Sequence, residues 1–514
     1  MSTTSSITAP TAVVPRVVVT VDGAELGAAA ASRLVSLRVH KVSTHPGQCE
    51  LVLKADRTAS TSAELPAEIG SAVRVTVIGD RDPVFTGTVT AVEHRETGAG
   101  RIRRVRAYDG LHRLRKTRHI RVFDERSPLE IAEEITGAVG LELDASDATV
   151  SLRDQVPMVV QTHETDLDLL RRVTAAHGCS FAAEGDRVRI FAVDRHVAAT
   201  EQLHLGEDLL DVSVTVNADQ PFRSVDMQGW QPSTMEFLRA VVDAPTSSDD
   251  ESDVPKRLGT DGIWRVVGRT SPSADTLAAG AGAELARLVD AEHELVAIGE
   301  GRSSIKPGTI VEIDGLDPAV PARFLIGETV HTVDGSGYVM ELRTSPRSAA
   351  APENTWALTP GVVRDVADPQ HLGRVRVSLP AYDSIEPGWL PMLFPGAGAD
   401  RGIVAIPNPG DLVLVALDAV SSAPIVLGGL YGGNPPPSTV AESSVAAMTW
   451  RTRPGHEFTL DDARGATTLR IVSGSSLTLG PDSVVLHAAS DLLIEAPGHA
   501  LRIRAKSVDF EEAP

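Results

Sequence analysis

Short runs of alternating apolar and polar residues dominate the first hundred residues of the chain. VRVTV at 73–77 and RIRRVRAY at 101–108 both repeat with a period of two. That period places successive side chains on opposite faces of a strand, so one face is buried and the other is solvated. Several such runs, separated by turn residues, predict an antiparallel β-barrel over residues 15–116. The polar residues 1–14 are expected to form a flexible N-terminus.

The pattern changes to a helical period in the next block, residues 117–198. Ser127 and Glu130 form a capping box in which Pro128 takes the first helical position. Thr165 and Asp168 open a second helix, and Gly185 lies in the turn of a hairpin that follows it. This block therefore predicts a small α+β insert.

Residues 199–346 return to strand patterns and predict a second β-barrel. An Ala-rich stretch, 273–291, interrupts the strands with leucines on one side. We expect this stretch to be one long helix that belongs to the second barrel. The segment 347–356 is rich in Ala, Pro and Ser and reads as a linker.

Residues 357–432 carry short apolar strands punctuated by Gly and Pro, which is typical of a small closed β-barrel. The turn 408–411, Asn-Pro-Gly-Asp, separates two apolar runs, GIVAI and LVLVAL, as hairpin chemistry requires. We therefore predict a strand on each side of that turn. A second linker, 433–446, follows this barrel.

The tail, residues 447–514, contains a repeat of apolar residues. They recur every eight positions, at Leu469, Leu477, Val485, Leu493 and Leu501. Short strands with this spacing cannot bury their apolar side within one chain. Three chains wrapped around a common axis would bury it, so the repeat predicts a trimeric β-helix, or β-prism, with these residues as its core. A monomeric β-solenoid is the alternative, and it usually needs longer faces.

Composition and charge argue against several classes of function. The 514 residues carry a net charge of −21, which argues against nucleic-acid binding because phosphate contacts need clustered Lys and Arg. The two cysteines form no disulfide framework or zinc ligand set. No motif of a hydrolase, a nucleotide-binding loop or a metalloprotease is present, so we expect no enzyme activity and no cofactor. The N-terminus lacks the pattern of a signal peptide.

A cationic run between Arg101 and Arg121 is the exception to the acidic balance. A nucleic-acid interface would interleave aromatic residues with these side chains, and only Tyr108 lies close in sequence. We expect instead a solvated strand face and loop whose arginines pair with acidic neighbours. A docking surface for an acidic rim on a neighbouring protein is the intermediate interpretation.

Four ordered motifs give the chain a family resemblance. They are GVV at Gly361, DP with LGRVRV from Asp368 to Val377 (including Gly373, Arg374 and Val375), PNPGDLVLV with Pro407, Gly410 and Asp411, and PIVLGGLYGG with Gly428 and Tyr431. Together they resemble the oligonucleotide/oligosaccharide-binding (OB) barrel of VgrG-like and phage-baseplate spike proteins. The resemblance implies a mainly β protein: two tube-type barrels forming a hub with an α+β insert, an OB-fold barrel, and a β-helical stem.

The same resemblance implies a structural function. A homotrimer would match its six barrels to a hexameric inner tube, contact baseplate proteins and puncture the target envelope when the sheath contracts. A separate tip protein with PAAR repeats would dock near Lys506, Val508 and Phe510, effector cargo is a further partner, and contact with a membrane is limited to puncture. The expected site of assembly is the bacterial cytoplasm, as part of a contractile particle that can be released extracellularly.

Three alternatives remain at this stage. Within the family, the chain would be the VgrG of a membrane-anchored type VI secretion system rather than part of a released particle. From other classes, a secreted glycan-binding β-protein would need a signal peptide or an exposed aromatic groove. A cell-wall hydrolase would need a pair of carboxylates in a cleft.

Overall fold

A computed structural model describes most of the chain as two compact units, Met1–Gly429 and Leu430–Pro514. The described residues are 17–55, 67–97, 100–162, 164–194, 197–219, 221–231, 236–244, 254–271, 273–335, 337–344, 356–418, 424–434, 436 and 446–511. The predicted flexible segment 1–14, nearly all of linker 347–356 and most of linker 433–446 lie outside them.

Strands account for most of the described elements. Those before residue 200 are β1 Val17–Val21, β2 Ala24–Glu25, β3 Leu34–Val42, β4 Gln48–Ala55, β5 Ala72–Val77, β6 Phe85–Thr97, β7 Gly100–Tyr108, β8 Arg121–Arg126, β9 Glu142–Asp147, β10 Val156–Gln161, β11 Cys179–Glu184 and β12 Arg187–Ala192. Those from 201 to 344 are β13 Glu201–His204, β14 Leu209–Val216, β15 Ser224–Gln231, β16 Glu236–Asp243, β17 Ile263–Thr270, β18 His293–Glu300, β19 Ile310–Asp314, β20 Arg323–Asp334 and β21 Gly337–Thr344.

The remaining strands and the helices complete the inventory. The strands are β22 Trp356–Asp365, β23 Val375–Ser378, β24 Trp389–Leu390, β25 Leu412–Asp418, β26 Ile425–Leu430, β27 Ala447–Arg451, β28 Glu457–Asp461, β29 Ala466–Arg470, β30 Ser476–Leu479 and β31 Val484–His487. The α-helices are α1 Ala28–Ala31, α2 Pro128–Gly137, α3 Asp166–Ala175 and α4 Ala274–Asp290, and the 3-10 helices are Gly110–Arg115, Val150–Arg153 and Pro380–Tyr382. A single helical turn also covers residues 254–257.

One continuous sheet replaces the two separate barrels that the sequence predicted. Its 13 strands run in the order β14-β18-β21-β20-β3-β4-β7-β6-β5-β1-β2, and β19 and β13 join beside β20. The halves meet where Glu328–Asp334 of β20 pairs antiparallel with Ser36–Val42 of β3. β20 pairs with β21 on its other edge, over Ile326–Asp334, so it joins the two curled half-barrels into one sheet.

Each half of the sheet has its own hydrophobic core. The first half buries alternate residues of β3, β4, β5 and β7, such as Leu37, Val39, Leu51 and Val75. The second half does the same with residues of β18 to β21, such as Phe324. This alternation is the pattern on which the strand predictions rested.

The α+β insert forms as its caps predict. The side chain of Ser127 caps α2 by accepting a hydrogen bond from the Glu130 amide, and Thr165 caps α3 in the same way through Asp168. The hairpin of β11 and β12 turns at Gly185, where φ is +68°. The two helices and this hairpin enclose a separate core around Ile135.

The helix predicted at 273–291 is observed as α4, but it does not pack within the second half-barrel. It covers a separate three-stranded sheet with the order β16-β15-β17, which lies in the chain between β14 and β18. Leu277, Leu285 and Leu288 of the helix contact Val225 and Met227 of that sheet. The predicted second barrel therefore divides into a half-barrel and this helix-covered sheet.

An OB-like five-stranded sheet with the order β24-β23-β22-β25-β26 follows. Its core is built from buried valines and leucines such as Val375, Val377 and Val415. The turn at 408–411 and the strand after it are observed. The strand predicted before that turn is not observed: residues 403–408 carry no strand and join none of the described sheets.

The second unit contains an antiparallel meander in the order β27-β28-β29-β30-β31. The strands are short, at four or five residues each. The predicted strand repeat continued through Leu493 and Leu501, but residues 488–511 carry no strand in this chain. A single chain gives those residues no neighbouring strand to pair with.

Candidate assembly surfaces

The register of the tail meander separates its side chains into two chemically different faces. Directly opposed residues of an antiparallel pair point to the same side. Trp450 lies opposite Phe458, which in turn lies opposite Leu469, and the row continues through Leu477 to Leu486. A second row on the same face joins Met448, Leu460, Thr467, Leu479 and Val484. One face of the meander is thus almost wholly apolar.

That apolar face is open to solvent in the single chain. The side chains of Trp450, Leu469 and Leu486 are 53%, 50% and 57% exposed. The Trp450 and Phe458 rings, with centroids 5.4 Å apart, pack against each other at one end of the row. A contiguous apolar surface of this kind marks a site of association in a soluble protein.

The opposite face is polar. A row of threonines crosses four strands, from Thr449 through Thr459 and Thr468 to Thr478. The hydroxyl oxygens of Thr449 and Thr459 are 3.4 Å apart. Hydroxyl groups can hydrogen-bond to water, so this face is suited to solvent and the apolar face is suited to burial.

The structure brings some of the predicted stem residues together and separates others. Leu469 and Leu477 are direct cross-strand neighbours on the apolar face. The eight-residue spacing predicted Val485 in the same row, but Val485 lies opposite Thr478, on the threonine face. The register between β30 and β31 is shifted by one residue, which places Leu486 in the apolar row instead. Leu493 and Leu501 are exposed and lie outside the sheet.

The residues predicted to dock a tip protein lie near the end of the described chain. Val508 and Phe510 are 52% and 94% exposed, and Lys506 is exposed as well. They lie in the strand-free segment 488–511. An exposed phenylalanine of this kind is available for contact with another molecule.

The family motif of the OB-like domain includes a buried ionic clasp. The Arg374 guanidinium donates from Nε and Nη2 to the two carboxylate oxygens of Asp368, at 3.1 and 2.7 Å. The backbone amides of Gln370, Leu372 and Arg374 donate to the same carboxylate. These bonds hold the pKa of Asp368 well below its usual range. Both residues belong to the motif between Asp368 and Val377, but the sequence did not predict that they form an ion pair.

The other motif residues have steric or turn roles. Gly361 lies in β22 where a Cβ would be 2.4 Å from Val377 Cγ1, so only glycine fits. Gly410 has φ +95° in the hairpin turn, and the Asp411 carboxylate accepts a hydrogen bond from the Asn408 amide at 2.7 Å.

The remaining motif positions range from buried to exposed. Val375 is fully buried, Pro407 is partly buried, and Gly373 and Gly428 have φ of +73° and +154°. Tyr431 is 60% exposed. The motif thus specifies the fold of this domain more than a ligand site.

A buried polar junction, which sequence reasoning missed, joins the first half-barrel to the insert. The Asp109 carboxylate accepts hydrogen bonds from the amides of Gly47 at 2.7 Å and Leu111 at 3.1 Å. Burial raises the pKa of Asp109 to about 7. Burial also lowers the pKa of the neighbouring Lys41 to about 8. A Cβ on Gly47 would lie 2.6 Å from the Asp109 carboxylate, so this glycine is needed for the contact.

The turn after β3 fixes the insert in place. Thr44 adopts φ +64°, an unfavourable conformation for a β-branched residue. Its amide donates to the Phe181 carbonyl at 2.7 Å, and its carbonyl accepts from Arg171 Nε at 2.8 Å. Lys306 adds a second link, since its ammonium group lies 3.2 Å from Asp82 and 3.0 Å from Glu184. The insert and both halves of the sheet therefore meet through polar contacts.

Several arginines of the cationic run pair with acidic residues as predicted, whereas Arg103 is buried and donates to the Ala67 carbonyl. Arg104 Nη1 lies 2.9 Å from Glu93 Oε2, and Arg106 Nε lies 3.0 Å from Glu50 Oε2. Arg115 stacks over the Tyr108 ring at 4.4 Å. These arginines therefore make ion pairs or a cation–π contact within the chain.

The described residues contain neither a metal-site arrangement nor a membrane-spanning helix. No group of three or more His, Cys, Asp or Glu side chains in the described ranges has the arrangement of a metal site. Likewise, no helix among them combines the length and apolar character required to cross a bilayer.

The curled half-barrels followed by an OB-like domain define a hub of the kind found at the end of contractile tails. The chain belongs to the phage tail baseplate hub (GPD) family, whose model matches residues 41–337. The model of the type VI secretion system/phage-baseplate injector OB domain matches residues 359–431. The chain is therefore a hub component, VgrG-like, of a phage baseplate or type VI type of apparatus. No curated protein sequence matches it.

Several solved structures share the fold at low sequence identity. The Francisella PdpA–VgrG complex, half-lidded, has a chain with TM-score 0.55 and 9% identity, covering 92% of this chain and 88% of that one. An Escherichia coli component of the type VI secretion system has TM-score 0.50 and 14% identity, covering 77% and 96%. The 43 kDa tail protein of a Shewanella oneidensis prophage has TM-score 0.50 and 15% identity, covering 65% and 98%.

Proposed function

We propose that this chain is the central hub and spike of a contractile injection system and that it acts as a homotrimer. The observation that carries the proposal is the apolar face of the tail meander, which one chain leaves uncovered. In a hub-family protein with such a tail, association of three copies would bury this apolar face. Three copies would turn their apolar faces inward and their threonine faces outward.

In this proposal residues 447–514 form the stem, a three-chain β-prism. Leu469, Leu477 and Leu486 line its interior, and Leu493 and Leu501 enter it once neighbouring chains supply strands for residues 488–511. Pairing between chains would satisfy the backbone groups of that segment, which one chain cannot do. The stem would be stiff because each strand is held by its neighbours.

The hub of the trimer would adapt one symmetry to another. Each chain contributes two curled half-barrels, so three chains present six, which matches the end of a hexameric inner tube. Baseplate proteins would contact the outside of this ring, and a PAAR-like tip protein would dock near Phe510. The role is mechanical: force from the contracting sheath drives the spike through the target envelope, and the chain itself performs no chemistry.

We place assembly in the bacterial cytoplasm, with effector cargo as a further partner. A released phage-tail-like particle and a membrane-anchored type VI system both fit this account. Localisation separates them: a particle places the protein in the medium with its sheath, whereas a type VI device keeps the sheath inside the cell.

Negative-stain images of the purified full chain test the proposal. We expect a broad base with one thin projection, and a solution mass of three chains. Compact particles of single-chain mass would contradict the proposal. They would favour the alternative of a glycan-binding protein, which a glycan array would test.

A further inference from the structure

The last residues of the tail form two short segments of opposite charge. Residues 501–506 read Leu-Arg-Ile-Arg-Ala-Lys, in which basic residues alternate with apolar ones, and we call them the basic arm. Residues 508–511 read Val-Asp-Phe-Glu, in which acidic residues alternate with apolar ones, and we call them the acidic arm. A period of two is the pattern of a β-strand, so each arm predicts a strand with one charged side and one apolar side.

Neither arm is paired in the single chain. Residues 488–511 carry no strand, and a bend at Lys506 lies between the two arms. The side chains of both arms are exposed, including Ile503 at 69% and Phe510 at 94%. The charged groups of the arms form no ion pair with a described residue, and their backbone forms no hydrogen bond with one. Apolar groups and uncompensated charges side by side on a surface indicate a site that another polypeptide covers.

The two arms complement each other when they run antiparallel. Directly opposed residues of an antiparallel pair point to the same side, so each residue needs a partner of matching chemistry. One register gives all four residues of the acidic arm such a partner. The opposed residues are Arg502 with Glu511, Ile503 with Phe510, Arg504 with Asp509, and Ala505 with Val508.

Other registers match the arms less completely. A shift by one residue sets Arg504 opposite Phe510, so charged residues face apolar ones along the whole pair. A shift by two residues keeps the alternation but leaves either Val508 opposite Ser507 or Glu511 opposite Ala500. The register that matches all four residues is therefore the favoured one.

This pairing is not suited to a hairpin within one chain. In the favoured register the loop of such a hairpin would consist of Lys506 and Ser507. The two-residue turns that match the twist of paired strands require φ above zero at one or both loop residues, and they favour Gly, Asn or Asp. Neither Lys506 nor Ser507 has a positive φ. The acidic partner of the basic arm must then come from another molecule.

A second copy of this chain is the molecule that fits both arms. A uniformly anionic partner, such as nucleic acid or a lipid surface, would attract the basic arm but repel the carboxylates of the acidic arm. A second copy offers an acidic arm to the basic arm and a basic arm to the acidic arm. Charge complementarity thus selects the chain itself as the partner.

We propose that the basic arm of each chain pairs antiparallel with the acidic arm of the next chain, so that three such pairs close the end of the stem. The inference rests on the proposed homotrimer. Each chain has one arm of each kind, so this head-to-tail contact closes into a ring after three copies and leaves no arm unpaired. The bend at Lys506 separates the two arms, as contacts with two different neighbours require.

Paired cysteines in the full-length protein test the register. Arg504→Cys with Asp509→Cys places two thiols directly opposite each other, at a Cβ separation of about 4.5–5.5 Å, which is close enough for a disulfide after a small adjustment. Mild oxidation should link the chains into a covalent three-chain species, measured by mass under denaturing, non-reducing conditions. The native Cys49 and Cys179 are buried and should not react.

The matched control for the crosslink is Arg504→Cys with Phe510→Cys. These two residues lie on opposite sides of the proposed pair, so we expect them to crosslink at least about tenfold more slowly. Equal rates for the two cysteine pairs would overturn the proposed register.

Reversal of charge tests the ion pairs. Arg504→Glu or Asp509→Lys alone sets like charges opposite each other and should lower the temperature at which trimers dissociate. The two substitutions together restore opposite charges and should recover about half of the loss or more. Arg453→Glu is the control, because Arg453 is exposed in the tail outside both arms and its reversal should have no effect. A double variant that recovers nothing, or equal effects of Arg504→Glu and Arg453→Glu, would overturn the proposal.

The outcomes separate this inference from the proposed function. Trimers that form no crosslink between positions 504 and 509 overturn the arm pairing and leave the homotrimer standing. Crosslinks confined to single chains overturn the choice of a second copy, and a covalent species that stops at two chains overturns the ring. Single-chain mass without oxidation contradicts the homotrimer, and the arm pairing fails with it.

Discussion

The OB-like sheet and the tail meander are both five-stranded, yet the first buries its apolar residues and the second exposes a row of them. Val363, Val377 and Val413 of the first are buried to within 1%. Leu469 of the second is half exposed, and its row of neighbours is open to solvent. The first sheet covers its own apolar face, whereas the short strands of the second leave one apolar face uncovered. Under the proposed function, the first sheet folds within one chain and the second is covered only when other copies associate with it.

The difference follows from strand length and connection. β22 spans 10 residues and pairs with both β23 and β25, so the sheet can bend around a core. The tail strands have four or five residues and pair only with their sequence neighbours. A meander of this kind has two accessible faces, and one of them here is apolar.

The largest effect is expected from a charge on the apolar face of the tail. Leu469→Asp would bring three carboxylates together in the proposed stem interior, where burial of unpaired charge is prohibitive. We expect trimers to be lost at micromolar concentration, measured by light scattering. Thr468→Asp is the control, since Thr468 is the adjacent residue on the opposite face, and its trimers should persist. A trimer that tolerates Leu469→Asp would show that the apolar face is not the interface.

Within the OB-like domain, the largest effect should come from the ionic clasp. Asp368→Asn leaves the Arg374 guanidinium buried without its partner, which costs about 3 kcal/mol of unfolding free energy. The folded pKa of Asp368 lies below the unfolded value, so its stabilisation is present above about pH 4 and is lost as pH falls further. Denaturant unfolding at pH 7 and pH 3 measures both effects, and the loss should not depend on protein concentration.

The matched control for the clasp is Asp400→Asn. Asp400 is exposed and has φ +54°, a conformation that asparagine tolerates. Its substitution should change the unfolding free energy by less than about 0.5 kcal/mol. Equal losses for the two variants would mean that the clasp contributes nothing specific.

The next largest effect on stability is expected from overpacking of the OB-like core. Gly361→Ala places a methyl group 2.4 Å from Val377 Cγ1 and 3.2 Å from Val415 Cγ2, and we expect a cost of about 1–3 kcal/mol. Gly429→Ala, in the same sheet, meets nothing closer than 3.9 Å and should be close to neutral. Thermal unfolding of the two variants at equal concentration gives the comparison. A neutral Gly361→Ala would show that β22 can shift away from β23.

The smallest effect concerns the buried junction of the hub. The folded pKa of Asp109, about 7, lies above its usual value, so stability from this group is present at low pH and is lost as pH rises from about 4 to about 7. Asp109→Asn removes that titration but also one acceptor for the amides of Gly47 and Leu111. The penalty of the substitution should therefore be smaller at pH 8 than at pH 5, by roughly 2 kcal/mol. A penalty that is equal at both values would contradict the raised pKa.

Local signals in the sequence predicted local structure well. The capping residues Ser127 and Thr165 began their helices as expected, and the Gly185 and Gly410 turns formed where their chemistry required. The motif around Gly373 and Arg374 led to the right family, because its residues fix the packing of a particular barrel.

Those local signals did not predict which distant segments of the chain pair with each other. The pairing of β20 with β3, which merges two expected barrels, joins residues almost 300 positions apart and leaves no local pattern. The shift that places Leu486 rather than Val485 beside Leu477 depends on the turn between β30 and β31. The clasp and the Asp109 junction depend on burial, which residue type alone does not predict.

The mass of the full chain in solution, measured by light scattering over a range of concentrations, tests the central claim most directly. The account predicts a species of three 54.3 kDa chains at micromolar concentration. A stable single-chain species over the same range would contradict it, because the apolar face of the tail would then be exposed in the functional state.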